Sequence, residues 1–206
     1  MEAICRIRYI HGIHSPEGNN NMSVFHNALS SIMPIALHKM FSYGFMGFWK
    51  ARWSNNSVAK RLAEVWNADW RADSKELPEI WVTHSNGHAV AYLATTKYGA
   101  RPDMIIAFNP ALDNHLTPDA QFVRVLYSNQ DRWVDLAQFL PFHIWGNQGQ
   151  VGYKGNHKGT VSFDVKDFPN VMAYEGHCGA FEPERIYNWA AWSKAVIINT
   201  LLQHYK

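Results

Sequence analysis

The sequence predicts an α/β fold: a three-layer sandwich in which a mostly parallel sheet of about six strands carries helices on both faces. Short apolar runs rich in β-branched and aromatic residues alternate with longer stretches of helical period, the pattern of successive βαβ units. Strands such as Glu79-Ile80-Trp81-Val82-Thr83 are apolar along their length, as strands covered on both faces are. The 206 residues, 47% hydrophobic and 17% charged, suffice for one core. No repeat, low-complexity run or composition shift marks a boundary, so residues 1–206 are read as one domain.

The elements follow in order. Ile4 to Ile10 is a strand ending in His11-Gly12, and a Gly/Asn/Pro loop runs from Ser15 to Asn21. A helix begins near Met22, sets Val24, Phe25, Ala28, Leu29 and Ile32 on one face, and stops by Pro34. Ala36 to Tyr43 is a second strand. Ser57 is expected to open a helix whose Val58, Leu62, Val65 and Trp66 recur at i, i+4, i+7 and i+8, the stripe a helix buries on a sheet. After the strand at Glu79–Thr83, a helix runs from Asn86 to about Tyr98, with Val90, Leu93 and Ala94 inward and Gly99 ending it. Strands are expected at Asp103 to Phe108 and at Phe122 to Tyr127. The last helix is expected to begin at Pro183, a favoured first helical position, with Ile186, Trp189, Ala190, Ser193, Val196 and Ile197 on one side.

Composition excludes several classes. The net charge is +2 and the charges are scattered, so the phosphate-seeking stripe of a nucleic-acid binder is missing and no nucleic-acid partner is expected. Two cysteines cannot form a disulfide framework, and Met1-Glu2-Ala3-Ile4-Cys5-Arg6 does not read as a signal peptide. A cytoplasmic protein is expected. No apolar run approaches the roughly 18 residues that span a bilayer, so no integral membrane association is expected. Oligomeric state is left open.

In a parallel sheet ligands sit beyond the carboxyl ends of the strands, so chemistry is sought in the loops there. After the strand ending at Thr83 the chain reads His84-Ser85-Asn86-Gly87-His88 and enters a helix at once. A serine forced into a strand-to-helix turn needs small residues two positions either side, because the backbone is strained and the helix passes close to the strand. Gly87 meets that demand, and Thr83 meets it in part. Further along, Asp131 follows the strand at Phe122–Tyr127, and His177 stands shortly before the final helix.

This order of serine, acid and histidine resembles the α/β-hydrolase superfamily, and the likeness extends from the His11-Gly12 loop to the last helix. The chain looks like a small lipase or esterase without a separate cap domain, lacking the family's first two strands. The resemblance implies Ser85, Asp131 and His177 as a catalytic triad, with the backbone N–H groups of Asn86 and Ile13 as the oxyanion hole. It implies an ester or acyl small-molecule substrate, with His11, Gly12, His84, Phe45, Trp49 and Trp145 as candidate pocket residues and no metal or organic cofactor.

Alternatives exist for several roles. Asp113, in Asn109-Pro110-Ala111-Leu112-Asp113, is the runner-up for the acid, and Asp135 lies one helical turn beyond Asp131. His84 with His88, and His11 with His14, have spacings a zinc site could use, but neither pair lies in a His-Glu-x-x-His frame. Cys178 is read as a small packing residue. Phe41 to Trp53, crowded with rings, would wall the pocket or form a small lid, and Phe142 to Asp164 is expected as a long loop over the site. The rival function is a catalytically silent binding protein of the same fold with an aromatic ligand or partner groove.

Overall fold

The computed structural model describes residues 2–13, 20–44, 47–72, 77–137 and 145–204, with the side chains of 48, 49, 52 and 135–137 left outside that description. Six strands form one sheet: β1 (Cys5–Ile10), β2 (Ala36–Phe41), β3 (Glu79–His84), β4 (Met104–Phe108), β5 (Phe122–Tyr127) and β6 (Thr160–Asp164). Their spatial order is β2-β1-β3-β4-β5-β6 and every pairing is parallel. The main helices are α1 (Asn21–Ile32), α2 (Phe48–Ala72), α3 (Asn86–Thr96) and α6 (Ile186–His204), with short helices α4 (Arg132–Ala137) and α5 (Gln148–Val151) between β5 and β6.

Alternation along the strands divides the core in two. Cys5, Ile7 and Tyr9 of β1 join Ile80, Val82, Met104, Ile106 and Phe108 beneath α1 and α6. Ile10, Trp81, Ile105, Val123 and Val125 face the other way, beneath α2 and α3. Trp81 and Trp189 are wholly buried, one in each half, and burying a large apolar side chain stabilises by roughly 1.5–3 kcal/mol. Helix α1 starts where the Asn20 side chain accepts from Ser23 N–H at 3.0 Å. Helix α3 ends ahead of Gly99 at φ +75°, where Ala100 N–H reaches back to Ala94 C=O.

Four expectations need correction. Helix α2 starts at Phe48, nine residues before Ser57, so Ser57 lies inside it; the apolar stripe is Ala51, Val58, Ala59, Leu62 and Ala63, while Val65 is exposed. Small alanines carry little hydrophobic signal, which is why the periodicity reading began late. Within the described part of the stretch Phe142 to Asp164 the chain is not one long loop: it holds α5 and the edge strand β6, a five-residue polar/apolar alternation set in a stretch rich in Gly, Asn and Lys. Helix α6 begins at Ile186 because Pro183 sits in a turn before it. Cys178 is exposed rather than packed.

Candidate active site

The carboxyl ends of β3, β4 and β5 carry the residues picked out from the sequence. Ser85 joins β3 to α3 at φ +55°, ψ −127°, a conformation costing about 1–3 kcal/mol that persists only where its surroundings enforce it. The enforcement comes from β4 and the segment after it. Ser85 N–H donates to Phe108 C=O at 3.2 Å, and Ser85 C=O accepts from Ala111 N–H and His88 N–H, both at 3.1 Å. Glycine at 87 is explained by contact: a Cβ there would stand 2.4 Å from the Ile10 carbonyl oxygen. Thr83, in the place of the usual glycine, is buried with its hydroxyl 3.1 Å from His88 Nδ1.

The turn after β1 lies directly against this elbow. A Cβ on Gly12 would come within 2.9 Å of Ser85 Cβ and 3.3 Å of Oγ. His11 is buried and stacked on Tyr43, with ring centroids 4.0 Å apart. Tyr43 N–H donates to His11 Nε2, leaving Nδ1–H to donate to Gly12 C=O at 2.7 Å; the Tyr43 hydroxyl donates to His11 C=O. These bonds fix the peptide between Gly12 and Ile13. No described residue accepts a hydrogen bond from Asn86 N–H. The Asn86 side chain exchanges two hydrogen bonds with Asn55 of α2, at 2.7 and 2.9 Å, and its Oδ1 also accepts from the Trp145 indole at 2.7 Å.

Asp131, completely buried just before α4, accepts from His177 Nδ1 at 2.7 Å. Asn109 Nδ2 donates to the same oxygen, Oδ2, at 2.9 Å, and Val134 N–H donates to Oδ1 at 3.2 Å. His177 keeps 13% of its side chain exposed. Its backbone carbonyl accepts from His84 Nε2 at 3.1 Å, and the two imidazoles lie 4.7 Å apart between centroids, so the loop carrying His177 is tied to the residue next to Ser85. Among the described residues no hydrogen bond joins Ser85 Oγ to the His177 ring. Burial drives the His84 pKa well below its ordinary value, with the neighbouring His177 adding to the effect.

The sequence-derived candidates thus sort by position. Ser85, Gly12, His11, His84, Asn86, Asp131 and His177 surround one rim of the sheet, and Ile13 follows the fixed peptide. Trp145 is buried behind the elbow. Asp113 is exposed in a turn, where its Oδ1 accepts from His115 N–H, while the imidazole bonds to Asp131. Phe45, His14 and the side chains of Trp49 and Asp135 fall outside the described residues. The described residues contain no group of three or more metal-ligating side chains. Sequence reading missed Asn109, Tyr174 and Asn55, and placed Tyr43 only among the rings of a pocket wall; for Asn109 the available signal was an amide directly after an apolar strand.

No family model matches the sequence, and neither does any curated protein. Solved structures do resemble it. Est1E from Butyrivibrio proteoclasticus superposes with a TM-score of 0.60 at 12% identity, covering 98% of this chain and 90% of that one. The fold is that of the α/β hydrolases. Dienelactone hydrolase from Anabaena variabilis has a TM-score of 0.59 at 10% identity, covering 96% of this chain and 87% of that one. Esterase PE8 has a TM-score of 0.57 at 12% identity, with 94% and 93% covered. In this chain β1 leads directly into His11-Gly12 and lies between β2 and β3.

Proposed function

We propose that the protein is a serine hydrolase that cleaves a carboxylic ester or thioester through an acyl-enzyme intermediate. The observation that carries this reading is the pairing of a strained serine elbow with a buried Asp131–His177 hydrogen bond on the same rim, the two linked through His84. Ser85 Oγ attacks the carbonyl carbon as His177 Nε2 takes its proton. Asp131, on Nδ1–H, holds the tautomer and stabilises the imidazolium. The negative oxygen of the tetrahedral intermediate meets the N–H groups of Asn86 and Ile13. Collapse expels the alcohol or thiol with the proton from His177, and water repeats the sequence on the acyl-enzyme.

Several details support these roles. The peptide that carries the Ile13 N–H has its carbonyl fixed by His11, and Gly12 leaves room beside Oγ. His84, held neutral by burial, adds no positive charge next to the imidazolium. The Thr83 hydroxyl is engaged by His88, which accounts for a residue larger than glycine at the elbow. Serine–histidine bonds of this type commonly tighten only as substrate docks. The chemistry calls for a small-molecule ester or acyl substrate and no cofactor.

Incubation with a fluorophosphonate and a short p-nitrophenyl ester tests the reading. Wild type is expected to gain one phosphonyl group on Ser85 and to release p-nitrophenol, and Ser85→Ala to do neither. Wild type and variant equally inert to both reagents would replace the reading with a silent binding protein.

A further inference from the structure

Asp131 is buried, and a buried carboxylate is tolerated only when its oxygens are met by donors. One of them is unexplained by the triad. Asn109 follows β4 at φ +44°, a left-handed conformation that asparagine adopts more readily than most residues, and it is fully buried. Its orientation is dictated chemically: facing an ionised carboxylate, the amide must present Nδ2, because Oδ1 would set two acceptors against each other. Oδ1 then points away and accepts from the Tyr174 hydroxyl at 2.5 Å. Tyr174 lies on the loop that carries His177, and the Gly176 carbonyl of that loop stands 3.5 Å from Nδ2. One amide therefore joins the acid and the base loop to the end of the strand beside the nucleophile.

Resting on the triad reading above, we propose that Asn109, oriented by Tyr174, is a positioning residue that fixes the Asp131–His177 pair against the elbow. It shares Oδ2 with the imidazole, so it sets the direction from which that oxygen receives Nδ1–H. The same residue anchors the strand end, its N–H donating to Leu126 C=O at 2.9 Å. Other titratable groups face the pair: His84 from β3, and Tyr174 and Cys178 from the base loop. Burial pushes His84 down and Tyr174 up, and partial desolvation beside the Asp131 carboxylate raises the Cys178 thiol, so all three are uncharged near neutrality. Arg132 and Glu175, beside Asp131 and His177 in sequence, are exposed.

The test compares wild type with Asn109→Ala, Asn109→Asp and Tyr174→Phe, all checked for folding by circular dichroism and for Ser85 labelling. Asn109→Ala is expected to lower kcat roughly 10- to 100-fold, the scale of a lost hydrogen bond to a charged group, with KM nearly unchanged. Asn109→Asp keeps the shape but sets a second carboxylate against Asp131. Two buried carboxyls at that distance share one proton near neutrality, and the single negative charge spread over both holds the imidazolium less firmly, so kcat falls and the acid limb of kcat/KM moves to lower pH. Tyr174→Phe lowers kcat less and leaves that limb in place. Should Asn109→Ala fail to fold, the near-isosteric Asp variant decides. An active wild type whose Asn109→Asp variant keeps both kcat and the acid limb overturns the positioning role and leaves the triad reading intact. A wild type inert to ester and phosphonate overturns both.

Discussion

Two buried polar clusters occupy opposite ends of the same strands, and they are built differently. At the start of β1 and β3 the groups are ions. Arg6 and Arg8 both meet Glu79, at 2.9 and 2.7 Å; Arg8 also bonds Asp69 of α2, which Lys39 meets from β2. At the far ends, around Ser85, the groups are amides, hydroxyls and imidazoles, with Asp131 as the carboxylate they surround. Charges locked to one another have nothing left to offer a substrate, and removing one leaves its partners uncompensated. Neutral groups arranged round a single carboxylate leave the field free for charge that develops during a reaction. Under the proposed hydrolase reading, the comparison assigns stability to one end and chemistry to the other.

The sharpest way to break that assignment is Asp131→Asn. It is expected to reduce kcat by about four orders of magnitude by leaving the imidazole in the wrong tautomer, with the protein still folded by circular dichroism. Activity within tenfold of wild type would remove Asp131 from the mechanism. Glu79→Ala probes the other end, removing the buried carboxylate that Arg6 and Arg8 share while Arg8 keeps Asp69. Loss of one partner from a buried ion pair destabilises by about 3–5 kcal/mol, read as a lowered urea midpoint, while kcat per folded molecule stays as in wild type. Unchanged stability would make the cluster incidental.

A third test uses pH. Burial drives the His88 imidazole from its ordinary 6.5 down to about 3, and its Nε2 has no partner among the described residues. The unfolded chain takes up a proton that the folded chain refuses. This contribution is therefore fully present above pH 6.5 and is lost as pH falls toward 3, at about 1.4 kcal/mol per pH unit. Urea midpoints along that interval measure the slope, and His88→Asn, which can still meet the Thr83 hydroxyl, is expected to reduce it; an unaltered slope contradicts the assignment. The smallest effect is reserved for Lys39→Met: its bond to Asp69 is partly exposed, so the loss is expected below about 1 kcal/mol and to shrink with added salt.

The sheet, and the placing of Ser85, Asp131 and His177 at element ends, were legible because strands are continuous apolar runs and strand-end loops are short. Ser85, Asp131 and His177 each follow or precede an element that periodicity reveals. Edge strand β6 was not legible because its alternation of polar Thr160, Ser162 and Asp164 with apolar Val161 and Phe163 spans five residues inside a stretch rich in Gly, Asn and Lys. The start of α2 was hidden by Ala51 and Asn55, the latter buried for its bonds to Asn86 rather than for hydrophobicity. Asn109 and Tyr174 act through one another across 65 positions of chain, and no local pattern encodes such a pair.

Gly87 seats the first turn of α3 on the carbonyls of Ile10 and His11, and Gly12 leans on Ser85 from the same strand. Ser85 and the neighbouring turn are consequently mortised into one joint. Under the proposed hydrolase reading, that joint keeps the reactive oxygen in register whichever acyl group is presented to it.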